Sequence, residues 1–240
     1  MCLLCPALSR RRFCAGALAL PLWHGKAGLV EPSLRLTPSN GRRVAVTLDA
    51  CPGHFDMRIA PVVVAHRIKV TVFITATWMH MNPAGLAFLL AHPDVFSVQN
   101  HGAQHLPPVL STKPIYGITP AGSYAAIKAE VLNGAAAIVA AGAPAPTWYR
   151  GAAGIYSPEA IPFIEGLGFR IGGYSLNSDE GASLPAATVA ARIAAAKDGD
   201  VIEGHINQPR RASGAGIAAG LVALQAAGAE FVWLTEPGVV

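Results

Sequence analysis

Two histidines four residues apart are the first feature of this 240-residue sequence that suggests chemistry. They lie in the run Asn100-His101-Gly102-Ala103-Gln104-His105. On one helical turn this spacing directs both imidazoles the same way, so that they can share one metal ion. Such pairs also arise by chance as surface or capping histidines. The pair therefore indicates a metal site only if other reactive side chains gather around it.

The other candidate residues follow apolar runs that predict strands. They are Asp49, Arg150, Asn177, Asp179 and His205. Barrels of parallel strands place their active sites at the carboxyl ends of those strands. We therefore expect these side chains to meet the two histidines at one end of a barrel.

Strand and helix patterns alternate along the chain from residue 43 onward. The predicted strands are 43–49, 69–75, 95–99, 147–150, 169–174, 200–203 and 230–234. The predicted helices are 59–67, 83–91, 123–141, 158–167, 186–196 and 217–227. This alternation predicts an α/β fold with a parallel sheet, closed into a distorted (β/α) barrel.

The amino-terminal residues have the pattern of an export signal. Ser9-Arg10-Arg11-Arg12-Phe13 places a twin arginine before the apolar run 14–23. We interpret residues 1–28 as a twin-arginine signal peptide, 29–42 as a linker and 43–240 as the barrel domain. The exported protein, periplasmic or extracellular, would keep only Cys51 and could form no internal disulfide.

Charge and hydropathy exclude several classes of partner. The net charge is +4, but much of the excess lies in the leader and in the Gly41-Arg42-Arg43 entry. No basic stripe with interleaved aromatics follows, so we expect no nucleic-acid partner. The apolar run 134–146 consists largely of Ala and Gly and is closed by two prolines, so we expect no membrane span in the mature protein. The sequence leaves the oligomeric state open.

Four short motifs occur in a recognisable order: Thr47-Leu48-Asp49, Asn100-His101 with His105, Trp148-Tyr149-Arg150, and Val201-Ile202-Glu203-Gly204-His205. In these motifs, residues 43–236 resemble the NodB-like polysaccharide deacetylases, carbohydrate esterase family 4. The resemblance implies a distorted (β/α) barrel that hydrolyses N- or O-acetyl groups on a polysaccharide or oligosaccharide. It also implies a divalent metal, zinc by preference, with metal-free hydrolysis as the alternative.

The resemblance implies a role for each matched residue. Asp49 corresponds to the catalytic base, and Arg150 to the arginine that positions it. His101 and His105 correspond to two metal ligands, and His205 to the catalytic acid. Asp179 is our choice for orienting His205.

One departure from the family concerns the metal. The family usually has a second aspartate, a metal ligand, where this chain has Ala50. Asp49 itself, Asp56 or water would then complete the shell, or no metal binds. We predict His101 and His105 with a carboxylate from Asp49 or Asp56. Cys51 is also near in sequence, but a lone cysteine is more often a small buried residue than a ligand.

Three further residues are candidates for contacting the substrate: Tyr149, Asn177 and Asn207. For Tyr149, core packing at the barrel rim competes with sugar stacking. Two other functions compete with deacetylation. One is hydrolysis of a different carbon-nitrogen amide on the same fold, and the other is carbohydrate binding without catalysis. The retention of Asp49, Arg150 and His205 favours catalysis.

Overall fold

A computed structural model describes residues 22–24, 28–238 and 240, so most of the predicted signal peptide lies outside the described residues. These described residues form ten strands: β1 (Leu22–His24), β2 (Val30–Pro32), β3 (Arg43–Ala50), β4 (Val70–Ile74), β5 (Phe96–Asn100), β6 (Trp148–Tyr149), β7 (Arg170–Ile171), β8 (Leu176–Asn177), β9 (Val201–His205) and β10 (Glu230–Val232). β1 and β2 form an antiparallel pair, and the other eight form one parallel sheet.

The parallel sheet is centred on β3. Its strand order is β7-β6-β5-β4-β3-β9-β8, and β10 pairs with the start of β3. Parallel strands covered on both faces read as nearly continuous apolar runs, which is why β3 was visible in the sequence. The sheet has the parallel, curled form of the distorted (β/α) barrel predicted above, which confirms that fold class.

Successive residues of β3 face opposite sides of the sheet, as the period of two requires. Val44, Val46, Leu48 and Ala50 lie in the large apolar core between the sheet and the helices. Ala45 belongs to a second core inside the barrel. Asp49 shares its parity, so its side chain is directed to the inside of the barrel rather than to the helix layer.

In the part of the chain that the structure describes, seven α-helices accompany the strands: α1 (Ala60–Ala65), α2 (Ala76–Met81), α3 (Pro83–Ala91), α4 (Tyr124–Ala140), α5 (Ala160–Glu165), α6 (Ala186–Ala194) and α7 (Ser213–Ala226). None of the helices in the described ranges combines the length and apolarity that a membrane crossing requires. The prediction missed α2, although Thr75 caps it by accepting a hydrogen bond from the Trp78 N–H. The predicted strand 169–174 is also too long, because pairing in the sheet supports only Arg170–Ile171 there.

The stretch 29–42, predicted as a linker, lies against the barrel. Val30 exchanges backbone hydrogen bonds with Tyr156, and Leu36 is buried and donates from its N–H to the Gly199 carbonyl. Between them, Leu34 donates to the carbonyl of Tyr174, in the short connection between β7 and β8. This stretch therefore covers the part of the barrel where β7 and β8 end the sheet, while the predicted domain boundaries stay a prediction.

Candidate active site

The carboxyl ends of the strands surround a cavity of about 690 Å³. Its lining includes Asp49, Cys51, His105, Asn177, Glu203 and His205. Asp49 comes from β3, while Glu203 and His205 come from the neighbouring β9, with Asp49 paired directly opposite His205. The strand ends thus bring together residues that lie more than 150 positions apart in sequence.

Asp49 forms a buried ion pair with Arg150. The Arg150 Nη1 donates to Asp49 Oδ1 at 2.7 Å, while its Nη2 donates to Thr47 Oγ1 at 2.8 Å and its Nε to the Gly172 carbonyl at 2.7 Å. Burial alone raises the pKa of Asp49, but Arg150 and the nearby imidazoles outweigh it and lower that pKa. Asp49 is therefore held as a carboxylate, the form that a general base requires.

His101 is oriented by a backbone contact. Its Nδ1–H donates to the carbonyl of Arg150 at 2.7 Å, and its Nε2 lies 3.4 Å from Cys51 Sγ and 3.7 Å from Asp49 Oδ2. Burial acts to lower the pKa of His101, but Asp49 and Cys51 outweigh it and raise that pKa to about 9. The surroundings of His101 Nε2 therefore attract a positive charge.

His105 also lies beside His101, but it does not lie on a helical turn as predicted. Residues 101–105 are a loop and not a helical turn, with positive φ values at Gly102 and His105. The two imidazole rings nevertheless lie with centroids 5.0 Å apart, and His105 Nε2 is buried with no hydrogen-bond partner in the described structure. The helical-spacing argument was wrong, yet the two rings converge.

Glu130 holds this loop, and the sequence analysis missed it. Its carboxylate is buried on α4 and accepts the backbone N–H groups of Gln104 at 2.9 Å and Leu106 at 3.1 Å. A glutamate on the buried side of a predicted helix was the signal that would have revealed it, because buried carboxylates almost always have a partner.

His205 is hydrogen-bonded to Asp179, the residue that the sequence analysis chose for orienting it. The His205 Nδ1–H donates to Asp179 Oδ1 at 3.0 Å, and its backbone N–H donates to Asp179 Oδ2 at 2.9 Å. Burial lowers the pKa of His205, but Glu203 and Asp179 outweigh it and raise that pKa well above its usual value. Where Glu203 is protonated, the charge and hydrogen bond of Asp179 still favour the imidazolium of His205, the form that a general acid requires.

Glu203 is a second residue that the sequence analysis did not select. It is buried, its Oε1 lies 3.3 Å from His205 Nδ1, and its Oε2 has no partner in the part of the chain described. Burial, followed by the charges of Asp179 and Asp49, raises the pKa of Glu203 to about 8. The sequence offered one signal for Glu203. It lies two residues before His205 on one strand, so the two side chains must face the same side of the sheet.

Asp56, a predicted metal ligand, does not reach the histidines. Arg58 donates from its Nε to Asp56 Oδ1 at 2.8 Å and from its Nη2 to Asp56 Oδ2 at 2.5 Å. Both oxygens are thus bound within the loop after β3. This geometry corrects the assignment of Asp56 to the metal.

Of the three predicted substrate contacts, only Asn177 lines the cavity, where its Oδ1 accepts the Glu180 N–H at 2.8 Å. Tyr149 is fully buried in an apolar cluster with Ile127. Asn207 is also buried and donates to the carbonyl of Cys51 at 2.9 Å. Tyr149 and Asn207 are therefore structural residues here, which corrects their prediction as substrate contacts.

Two groups of side chains in the described ranges are close enough to hold a cation. One is Cys51, His101 and His105, and the other is Asp49, Glu203 and His205; within each, the donor atoms lie within 4.8 Å of one another. The first group contains both predicted histidines, and its unpartnered His105 nitrogen fits a metal ligand. One sulfur and two imidazole nitrogens form a donor set that suits zinc.

Comparison with known families agrees with this geometry. The family model described as polysaccharide deacetylase matches residues 37–172. The chain belongs to the polysaccharide deacetylase family. The members of this family are hydrolases that act on acetyl groups. No curated protein matches the chain in sequence.

Solved structures of polysaccharide deacetylases and their relatives share the fold. A family 4 carbohydrate esterase from Streptomyces lividans in complex with acetate has 19% identity and a TM-score of 0.67, covering 84% of this chain and 97% of that one. A peptidoglycan deacetylase from Bacillus subtilis has 19% identity and a TM-score of 0.64, covering 82% of this chain and 89% of that one. A family 4 pseudoenzyme from Bacillus anthracis has 18% identity and a TM-score of 0.67, covering 84% of this chain and 66% of that one. These likenesses show the fold, which is shared by active and inactive proteins.

Proposed function

We propose that this protein removes N- or O-linked acetyl groups from a polysaccharide or oligosaccharide by metal-assisted hydrolysis. The observation that carries the proposal is the pairing of an ionised Asp49, held by Arg150, with a protonated His205, held by Asp179, in one cavity. A base and an acid with pKa values pushed apart are what acyl transfer to water requires.

His101 and His105 would hold the divalent cation, with zinc preferred. When bound, such a cation polarises the acetyl carbonyl and lowers the pKa of the attacking water. The metal-free alternative leaves the same base and acid in place but without that polarisation.

Asp49 would remove the proton of the attacking water. Its Oδ1 is occupied by Arg150, so Oδ2, which lies on the side of His101, is the oxygen available for that proton. Arg150 keeps the carboxylate ionised and fixed, and thus acts as a positioning residue.

His205 would donate a proton to the leaving amine or alkoxide. Its bond to Asp179 fixes the imidazole and stabilises its charged form, as in other sites where a carboxylate orients a histidine. Because Asp49 and His205 lie opposite each other on paired strands, an acetyl group between them would meet the base and the acid at once.

The experiment that tests this proposal is acetate release from acetylated chito-oligosaccharide and acetylated xylan. We expect activity that is lost with a chelator and restored by zinc or cobalt. We expect Asp49→Asn and His205→Gln each to lower it by about 10²–10⁴-fold. Asp94→Asn, at an exposed carboxylate, is the matched control and should keep full activity.

Each of the other possible outcomes would favour a different mechanism or a different function. Acetate release that is unaffected by the chelator would favour hydrolysis without metal. An absence of acetate with intact binding of the oligosaccharides would favour a carbohydrate-binding protein. An absence of both, with turnover of small amides, would favour a different carbon-nitrogen hydrolase.

We also propose that the protein is exported through the twin-arginine pathway to the periplasm or beyond, where acetylated glycans lie. The pattern Arg10-Arg11-Arg12 before an apolar run supports this proposal. Replacing Arg10 and Arg11 by lysine should leave the protein in the cytoplasm, as measured by fractionation and immunoblotting. Undiminished export of that variant would contradict it.

A further inference from the structure

We propose that the thiolate of Cys51 is the third protein ligand of the metal centre, in place of the carboxylate that is absent at Ala50. This inference rests on the proposed function, because it names how the same site completes its metal shell. It makes the centre a thiolate-bis-imidazole site that selects soft or borderline cations.

The donor atoms lie close enough together for one cation to draw them into its shell. Cys51 Sγ lies 3.4 Å from His101 Nε2, and both lie within 4.8 Å of a His105 nitrogen. Ligands bound at about 2.0–2.3 Å to one tetrahedral zinc lie roughly 3.5 Å from each other. The Cys51–His101 distance already matches this value, and the His105 nitrogen would move closer when a cation binds.

The hydrogen bonds around the histidines leave their nitrogens available to a cation. His101 donates from Nδ1 to the Arg150 carbonyl, which directs the Nε2 lone pair towards Cys51. An imidazole that donates its other N–H to a carbonyl is the usual arrangement at a bound metal. His105 Nε2 is buried without a hydrogen-bond partner in the described residues, and one thiol proton cannot satisfy both nitrogens.

The backbone directs Cys51 to the same face as Asp49. Residues 45, 47, 49 and 51 share one parity along β3 and its extension, while Ala50 faces the apolar core. Asn207 then fixes the extension by donating to the Cys51 carbonyl. Of the residues that follow Asp49, Cys51 is therefore the one whose side chain is held towards the histidines.

The competing carboxylates are already engaged. Asp56 has both oxygens bound by Arg58, and Asp49 has one oxygen bound by Arg150 and serves as the base. Within the described residues, Cys51 Sγ contacts His101 Nε2 at 3.4 Å and has no arginine or lysine partner. A thiolate beside two imidazoles favours zinc, cadmium or cobalt over magnesium, calcium or manganese.

Cobalt spectroscopy tests this inference without relying on activity. The full chain with Cys2, Cys5 and Cys14 changed to serine keeps Cys51 as its one thiol. Adding one equivalent of cobalt to the metal-depleted protein should produce a near-ultraviolet thiolate-to-cobalt charge-transfer band. Cys51→Asp should remove that band while retaining cobalt, and His101→Ala should remove it although the thiol is present.

Zinc binding and alkylation supply a second readout. Zinc should protect Cys51 from iodoacetamide in the same serine-substituted protein. Cys51→Ala should weaken zinc binding by more than about 100-fold, since changes even outside the ligand shell cost roughly 10–100-fold. Circular dichroism checks that each variant remains folded.

The result that overturns the inference is cobalt or zinc bound at one equivalent with no charge-transfer band and no protection of Cys51. Chelator-sensitive acetate release together with that result would leave the proposed function standing and remove only the thiolate ligand. A charge-transfer band without acetate release would support the thiolate ligand and contradict the proposed function. The protein would then have a thiolate metal centre but would not be a deacetylase.

Discussion

Arg150 both keeps Asp49 ionised and stabilises the fold. It is fully buried, and it satisfies Asp49, Thr47 and a backbone carbonyl at once. Arg150→Met would leave Asp49 as an uncompensated buried charge, which costs about 3–5 kcal/mol. We expect that loss in urea denaturation, together with loss of acetate release. Arg170→Met, at an exposed arginine, should change stability by much less, and equal losses in both variants would contradict this account.

Glu203 gives stability a pH dependence of a defined sign. Its pKa is raised from 4.5 to about 8, so between these values the folded state holds a proton that the unfolded state has released. Stability therefore falls as the pH rises, by at most about 1.4 kcal/mol per pH unit. Between about pH 5 and about pH 5.5, where an unfolded histidine is still mostly protonated, Glu203→Gln should flatten this slope.

Urea denaturation at the two pH values measures that effect. Glu230→Gln, at an exposed carboxylate, is the control and should keep the slope of the unmodified protein. A slope that Glu203→Gln leaves unchanged would show that Glu203 is ionised in the folded state.

The sequence best predicted the positions of residues that lie at strand ends. Asp49 and His205 follow runs whose burial and direction are set by the sheet, so their meeting was predictable. Asp56 and Asn207 lie on loops, where the same chain can turn a side chain towards the cavity or towards the backbone. Hydrogen bonds made by residues distant in sequence decide that choice, and a single sequence does not display them.

At the level of elements, α4 positions the histidine loop by close approach. A methyl group at Gly134 would lie 2.4 Å from Asn100 Oδ1 and 2.6 Å from the Gly102 carbonyl carbon. Gly134→Ala should therefore destabilise the protein by about 1–3 kcal/mol, although alanine is the better helix former by about 1 kcal/mol. It should also weaken zinc binding, because the loop that carries His101 must shift.

The neighbouring exposed position provides the control for that substitution. Asn133→Ala should leave zinc affinity unchanged and keep or raise the melting temperature, since it changes helix propensity alone. If Gly134→Ala raised stability and left zinc affinity intact, the close approach of α4 to the loop would have no functional role.

The elements differ in how well the sequence predicted them. β3, β4 and β5 are mostly buried strands and were found almost to their observed bounds. β7 and β8 have two residues each, and the polar stretch around β8 has no apolar period. β7 and β8 are defined by their pairing with β6 and β9, so the local sequence alone does not predict them.

At the level of the whole molecule, the stretch 29–42 acts as part of the barrel. A chain that begins at residue 43, the predicted domain start, should melt several degrees lower than one that begins at residue 29. The truncation removes the buried Leu36 and the backbone bonds to Tyr156 and Gly199. Leu36→Ala, expected to cost about 2–5 kcal/mol, tests the same contact without truncation. Equal melting temperatures for the two chains would identify this stretch as a dispensable linker.

Glu31 lies in the wall of the active-site cavity, shortly after the predicted end of the signal peptide at residue 28. If the leader is removed after residue 28, Leu29 becomes the first residue, and it lines an adjoining cavity that also includes Glu31. The new α-amino group would bring a positive charge to within two residues of that carboxylate. The peptidase that trims the precursor would then also set the charge at the rim, and a tag fused at this end would alter which oligosaccharides enter.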